Sequence, residues 1–377
     1  MRLYSGDCGT LAPANEMKLL ISARDAGAAN NLAPVARLAE KDRQTQLSLI
    51  ASEPAYSILQ KAGLKVKQVT HHPATLLDNA QTLLTRHQPD AILVGLSGPD
   101  AGIDEALLAS AKDIPTFALQ DFWGDLNNGF GHYASVYLVR DALAEKLTVR
   151  RADVITRITG SPSLEKLLPT YKAQLKRKRL QLRNKLAKSI PIISLCLQPL
   201  WQEAGYRETV IQALKALPKC NLLVRTHPRD SQQTKQQIQR LLNQHCIQPW
   251  RFSYEPLEDM LCASDLLLSA FSNCALDLAY LNKAKKTHTA FPLYLMHNQK
   301  LKNLYQQWTG LNNLPLSDIG ISETLYKRSR LKENINQAIQ AKSRYLCRQR
   351  CKQLQQEPNA ALKILEAIKE SAALQNT

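Results

Sequence analysis

Asn221-Leu-Leu-Val-Arg225-Thr-His227-Pro228-Arg229-Asp230 and, further along the chain, Ser269-Ala-Phe-Ser272-Asn273-Cys-Ala-Leu-Asp277 decide how this sequence is read. The first stretch is a short apolar run that ends in a basic, histidine-bearing loop. The second continues a predicted strand, residues 265–269, straight into a helix that starts near Ser272. In a parallel α/β sheet the carboxyl ends of the strands gather on one edge, and ligands bind there. Arg225, His227, Arg229, Ser269, Ser272 and Asn273 then share that edge with a helix N-terminus, a set suited to a phosphorylated ligand. Each residue has a plainer reading beside this one. His227 either donates to a phosphate or only bonds the backbone, Ser272 either contacts the anion or serves simply as an N-cap, and Asp277 either reaches a ribose hydroxyl or is an ordinary exposed acid.

The rest of the chain supports the same architecture. Predicted strands at residues 18–22, 47–51, 65–69, 91–95, 116–119, 137–140 and 154–159 alternate with helical stretches at 31–41, 55–62 and 76–87. After Gly160-Ser-Pro162 a second alternating block begins at residue 191. It includes a glutamine-rich helix at 231–245 and a helix at 257–263. Such alternation specifies mostly parallel sheets with helices on both faces. The expected organisation is an N-terminal extension (residues 1–16), a first doubly wound domain (17–159), a second (160–345) and a helical tail (346–377). The two Rossmann-like domains are expected to face each other across a cleft.

Composition sets the outer limits. With 377 residues and 44% hydrophobic content the chain suits two ordinary domains. The net charge of +17 favours polyanionic partners without choosing among nucleic acid, an anionic membrane and phosphorylated substrates. No run reaches the roughly 18 apolar residues of a membrane-spanning helix. The first residues lack a signal-peptide pattern, and either Met1 or Met17 fits as the start. Eight cysteines occur without Cys-x-x-Cys pairs or zinc spacing. Cys347 and Cys351 lie one helical turn apart, a spacing open to a metal. Ordinary reduced thiols are the plainer reading, so no metal or cofactor is expected and a cytoplasmic location is.

Residues 172–188 carry eight lysines and arginines and no acid on a predicted helix. A solvated face is the default for such a run. The alternative is attachment to an anionic surface, such as the inner membrane face, through Lys176, Arg177, Lys178 and Arg179. RNA is also compatible with the charge, but no aromatic interleaving supports it.

Two loops of the first domain add candidates. Ser22-Ala-Arg24-Asp25-Ala-Gly27-Ala-Ala-Asn30-Asn31 follows the first strand. Its small residues permit close backbone approach to a ligand. It matches neither Gly-x-Gly-x-x-Gly nor a Walker A loop. Asp25 suits a general base or a helix cap, and Asn30 an acceptor contact or a cap. Gln120-Asp121-Phe122-Trp123-Gly124-Asp125 follows a later strand, where aromatics beside carboxylates suit sugar or base recognition or else a tight loop with buried rings. Ser97-Gly-Pro99-Asp100 marks another strand end.

Together these residues resemble the GT-B class of glycosyltransferases and their relatives, the UDP-N-acetylglucosamine 2-epimerase, CDP-glycerol glycerophosphotransferase and bacterial sialyltransferase groups. His227-Pro228 resembles the His-Pro pair at a donor-domain strand end in the last two. Thr159-Gly-Ser-Pro162 is similar to the Thr-Gly-Asn-Pro junction of the epimerase-like group. The stretch from Ala263 through Asp265, Ser269 and Ser272 to Asp277 and Lys283 looks like the family's donor-site strand and helix. Here Asp277 stands where glutamate is usual, and Asn282-Lys283-Ala284 replaces Gly-Lys-Pro. The resemblance implies a nucleotide-activated donor on the second domain, bound by Arg225, Arg229, Ser269, Ser272, Asn273 and Asp277 without a metal. It implies an acceptor of unknown identity on the first domain, near Asn30, Trp123 and Asp125. Asp25 or Asp121 would be the base, with His227 stabilising the leaving nucleotide. The expected activity is glycosyl transfer. Alternatives are CDP-alcohol phosphotransfer, 2-epimerisation, or an inactive protein that binds RNA or anionic lipid.

Overall fold

The computed structural model describes residues 16–70, 72–96, 98, 100–165, 181–183, 186, 190–284 and 290–375. Most of the N-terminal extension, Ser97, Pro99 and the basic quartet Lys176, Arg177, Lys178 and Arg179 lie outside the described residues.

Thirteen strands are described: β1 Met17–Ala23, β2 Thr45–Ala51, β3 Lys67–Gln68, β4 Ala91–Gly95, β5 Thr116–Leu119, β6 Val136–Val139, β7 Ile155–Ile158, β8 Ile192–Cys196, β9 Asn221–Arg225, β10 Trp250–Phe252, β11 Leu266–Ser269, β12 Phe291–Leu295 and β13 Glu323–Leu325. They form a seven-stranded sheet, ordered β3-β2-β1-β4-β5-β6-β7, and a six-stranded sheet, ordered β10-β9-β8-β11-β12-β13. The central pairings are parallel: β1 with β2 and β4, β8 with β9 and β11. Central strands of parallel sheets are covered on both faces and so read as continuous apolar runs. Leu19, Leu20 and Ile21 of β1 and Leu266, Leu267 and Leu268 of β11 are accordingly all buried.

Each sheet begins with the doubly wound order in which the chain first steps one way and then returns to the far side of its first strand. The order reverses between β1 and β4 in one sheet and between β8 and β11 in the other. Crevices beyond the carboxyl ends of such strands are the ligand sites of this architecture. The fold expected from the sequence, two parallel α/β sheets with a helical tail, is the fold observed.

The chain packs as two compact units. The first comprises Met1–Leu119, Asn128–Val136 and Ala361–Thr377; the second comprises Gln120–Asn127 and Tyr137–Ala360. In the first unit the helix Ala26–Lys41 buries Ala28, Ala29, Leu32, Val35, Ala36 and Ala39. Its approach to β4 requires Gly95, because a Cβ there would lie 2.4 Å from Ala28 Cβ. The last helix, Ala360–Gln375, is tied to this unit by Lys369 and Asp42 at 2.5 Å. In the second unit β11 runs through residues 270–273 into the helix Cys274–Ala284, so the helix begins two residues later than the sequence predicts.

Candidate functional site

In the second unit β8, β9 and β11 place their carboxyl ends side by side, with Cys196 opposite Arg225 and Leu268 opposite Leu195. The chain leaving β8 is fixed at Gln198. Its backbone N–H donates to Tyr206 Oη (2.7 Å), and its Oε1 accepts the Phe271 N–H (2.8 Å). Gln198 therefore ties the end of β8 to the loop after β11. Nothing in its sequence context singles it out.

Beyond β9 the loop is a tight turn closed by its own side chains. Asp230 Oδ2 accepts the His227 N–H (2.7 Å), and the Asp230 N–H donates to the His227 carbonyl (3.0 Å). The Arg229 N–H donates to His227 Nδ1 at 3.2 Å. A ring nitrogen that accepts carries no proton, so the neutral imidazole holds its hydrogen on Nε2. The sequence left open whether His227 bonds a ligand or the backbone. The structure gives the backbone Nδ1 and leaves Nε2 as the donor nitrogen. The Arg225 guanidinium donates to the Glu255 carbonyl at 2.7 Å, and Arg225, His227 and Arg229 all stay partly exposed.

After β11 the turn prepares the helix. Ser272 Oγ accepts the Cys274 N–H (3.2 Å), and the amides of Ala275, Leu276 and Asp277 bond the carbonyls of Ser272 and Asn273. Ser272 thus takes up the first helical amide from one residue before the N-cap position, Asn273. The first-turn amides are engaged inside the turn, so the helix contributes mainly its dipole to an anion. Among the described residues no bond takes up the Ser272 and Asn273 amides. Ser269 is buried, and its Oγ has no hydrogen-bond partner among the described residues. An unpaired buried hydroxyl costs about 1–3 kcal/mol, a cost relieved by any ligand that bonds it.

Residues 120–127 belong to this unit, and they bring Asp121 to the same turn. Asn273 Nδ2 donates to Asp121 Oδ2 (2.9 Å) and to the Asp121 carbonyl (3.3 Å). Burial raises the pKa of the Asp277 carboxyl well above the ordinary aspartate value, and Cys274 and Asp121 nearby push it further, moving it towards the neutral form. Trp123, expected to offer its ring to an acceptor, is instead buried at 3% exposure. Its Nε1–H donates to Asp141 (3.2 Å), and the Arg140 guanidinium covers the ring at 4.2 Å. Asp125 Oδ1 accepts the Asn127 N–H (3.2 Å) and shapes the loop.

The switch point of the first unit holds a charged cluster whose buried acids, Asp104 and Glu105, are absent from the sequence-based candidates. Ser22 at the end of β1 donates to Asp104 Oδ1 (2.5 Å). The Arg24 guanidinium pairs with Glu105 (3.2 Å) and Asp100 (3.5 Å), donates to the Gly98 carbonyl (3.1 Å) and lies 3.8 Å from Asp104. Asp104 is fully buried and Glu105 nearly so. Burial, and then the neighbouring Glu105, raise the Asp104 pKa to about 7. Burial raises that of Glu105 as well. Asp25 caps the following helix through Oδ1 (Ala26 N–H, 2.9 Å), while Gly98 N–H approaches its Oδ2 at 3.5 Å. Asn30 is exposed in the first turns of that helix. The acids of residues 104–105 open the helix Ile103–Ser110, where they read as ordinary first-turn acids, and only burial distinguishes them.

Cys347 and Cys351, open to a metal on spacing alone, are both buried with Sγ atoms 3.9 Å apart. Among the described residues no three His, Cys, Asp or Glu side chains converge as a metal site.

No family model matches the chain, and no curated protein matches it. Solved structures match it in fold. UDP-GlcNAc 2-epimerase from Neisseria meningitidis, bound to UDP-GlcNAc, superposes with a TM-score of 0.70 at 13% identity, over 94% of this chain and 100% of that one. MurG of Acinetobacter baumannii gives 0.55 at 14% identity, over 94% and 99%. The glycosyltransferase VinC in complex with dTDP gives 0.54 at 11% identity, over 95% and 100%. All are of the GT-B type, and this chain has that fold.

Proposed function

We propose that the protein is a nucleotide-sugar enzyme that transfers the sugar to an acceptor hydroxyl, with the donor's diphosphate held at the β8–β9–β11 edge of the second unit. The observation that carries this reading is the state of His227. Its Nδ1 is occupied by the Arg229 amide, so Nε2 carries the ring proton, in a strand-end segment that also bears Arg225 and Arg229. When the bond from the sugar to the diphosphate breaks, negative charge builds on the leaving oxygen. Nε2–H, Arg225, Arg229, the Ser272 and Asn273 amides and the helix dipole are the groups that offset it. Ser269 Oγ and Asp277 are assigned to donor hydroxyls or phosphate oxygens. Asp121, oriented by Asn273, is the carboxylate assigned to take the acceptor's proton. Asp25 is the weaker candidate for that role, because its Oδ1 accepts the Ala26 amide at its own helix start and its Oδ2 faces the Gly98 amide in the loop after β4.

A second reading is sugar-nucleotide epimerisation. It is favoured by the 2-epimerase superposition and by a pair of buried carboxylic acids at the first switch point. Both readings place the nucleotide on the second unit. They separate on products. Incubation with UDP-, CDP-, GDP- and dTDP-sugars, with and without a mixture of sugar, polyol and lipid-linked acceptors, followed by chromatography, decides between them. Transfer predicts free nucleotide released in step with a glycosylated acceptor. An epimeric nucleotide-sugar formed without acceptor supports the second reading. No change in any donor, with no binding, removes both.

A further inference from the structure

The helix Ala341–Cys351 of the second unit is held along one side and open along the other. On the inner side Cys347 and Cys351 are buried at 1% and 0% exposure, Arg344 pairs with Asp265 at 2.6 Å, and Ser343 Oγ donates to the Gln337 carbonyl at 2.8 Å. At about 3.6 residues per turn, Lys342, Tyr345, Leu346 and Gln349 fall on the opposite side, and Lys352 continues their row past the last turn. Lys342 and Lys352 are exposed, as are Tyr345 at 58% and Leu346 at 45%. Arg350 borders this outer face, and its guanidinium donates to the Gly320 carbonyl at 2.6 Å.

The charge around the face has one sign. Residues 326–356 hold nine lysines and arginines against a single acid, Glu333, which Arg330 pairs at 3.3 Å. Lone exposed apolar residues are ordinary. An adjacent tyrosine and leucine among cations have a specific physical use. Segments that lie on a membrane surface combine basic side chains, drawn to anionic headgroups, with aromatic and leucine side chains that enter the headgroup layer. Tyrosine suits that layer because its ring is apolar and its hydroxyl stays wet. A single-stranded nucleic acid fits the face less well. Its bases need successive aromatic rings to stack on, and here one ring stands beside a leucine.

We propose that the outer face of the helix Ala341–Cys351 docks the protein on an anionic lipid bilayer. Tyr345 and Leu346 enter the headgroup layer, and Lys342, Arg350 and Lys352 meet lipid phosphates. This surface is separate from residues 176–179, the anionic-surface candidate of the sequence. It adds a location to the protein and no step to its chemistry, so it stands independently of the donor assignment above.

The test sediments the full native chain with vesicles of phosphatidylcholine and phosphatidylglycerol in equal parts and, separately, of phosphatidylcholine alone, at low and at high salt. The expected result is binding to the anionic vesicles only, weakened by salt. Lys342→Gln with Lys352→Gln should lower the binding constant about fivefold per charge removed and make it less sensitive to salt. Tyr345→Ser with Leu346→Ser should weaken binding at every salt concentration and leave the salt dependence as it was. Both double variants alter exposed side chains and should melt with the native protein. The proposal is overturned if the native chain does not bind the anionic vesicles, if it binds phosphatidylcholine equally well, or if either double variant binds as the native chain does. Displacement of the vesicles by single-stranded RNA, with the Tyr345 and Leu346 changes without effect, would make the face a nucleic-acid site instead. Nucleotide binding is not read in this experiment, so failure of the donor reading leaves its outcome unchanged.

Discussion

Replacing His227 by alanine removes the Nε2–H donor and also the Nδ1 acceptor that holds the Arg229 amide. On the proposed reading the first loss dominates turnover, because a donor to a leaving diphosphate gains strength as charge develops. The expected fall in kcat is about 10²–10³. The thermal midpoint should move little, since the Asp230 carboxylate still closes the turn. A lowered midpoint with unchanged kcat would make His227 a loop-closing residue only. Asp104 carries a different residue-scale prediction. Its folded pKa, raised to about 7 by burial and by Glu105, lies above the ordinary aspartate value of about 3.9. In the window between those values the folded state therefore holds a proton that the unfolded chain has released. The associated stability is complete below the lower value and is lost as pH rises through the upper one. The midpoint contribution should fall from about pH 4 to about pH 7 and level off above that, and Asp104→Asn should flatten that fall, as differential scanning fluorimetry across buffers would read. Identical pH profiles for the two proteins would show that Asp104 does not titrate there. The sequence hid this cluster because an acid in a first helical turn looks the same whether solvated or buried. It misled at Trp123 for a related reason: an aromatic in a strand-end loop reads equally as a stacking platform or as a core residue.

At the scale of elements the alternation of strands and helices was legible, because apolar runs fully covered on both faces leave an unambiguous pattern. Gly95 shows what the pattern omits. It ends β4 with no positive φ to explain it, and the helix Ala26–Lys41 reaches the strand only where a Cβ is missing. Gly95→Val is expected to destabilise the first unit by about 1–3 kcal/mol, since overpacking forces backbone or rotamer shifts. At about 2–4 °C per kcal/mol this is readily seen in a melting curve. An unchanged midpoint would mean that the helix does not sit on β4 in this way. The turn at residues 269–274 was likewise half legible. Ser272 was open to reading as a cap, and its hydroxyl does take up the first helical amide, whereas the bond from Asn273 to Asp121 spans 152 positions and has no local signature.

Over the whole molecule, two sheets repeat one strand order, and each reverses between its first and fourth strands. The sequence places a break at residues 159–162, whereas Tyr137–Ala360 packs within one compact unit. A linear reading cannot show that Gln120–Asn127 packs with the second unit or that Ala361–Thr377 returns to the first, because both are decided by long-range packing. The net charge of +17 states a preference for anions without locating it. The proposed donor edge is where that preference is assigned, and hydrogen–deuterium exchange tests the assignment most directly. With a saturating nucleoside diphosphate, amides in residues 225–231 and 269–277 should exchange more slowly, with the strongest protection at 272–273. Protection elsewhere that leaves these two stretches unchanged, or no nucleoside diphosphate binding at all, would contradict the assignment of the second unit's switch point as the donor site.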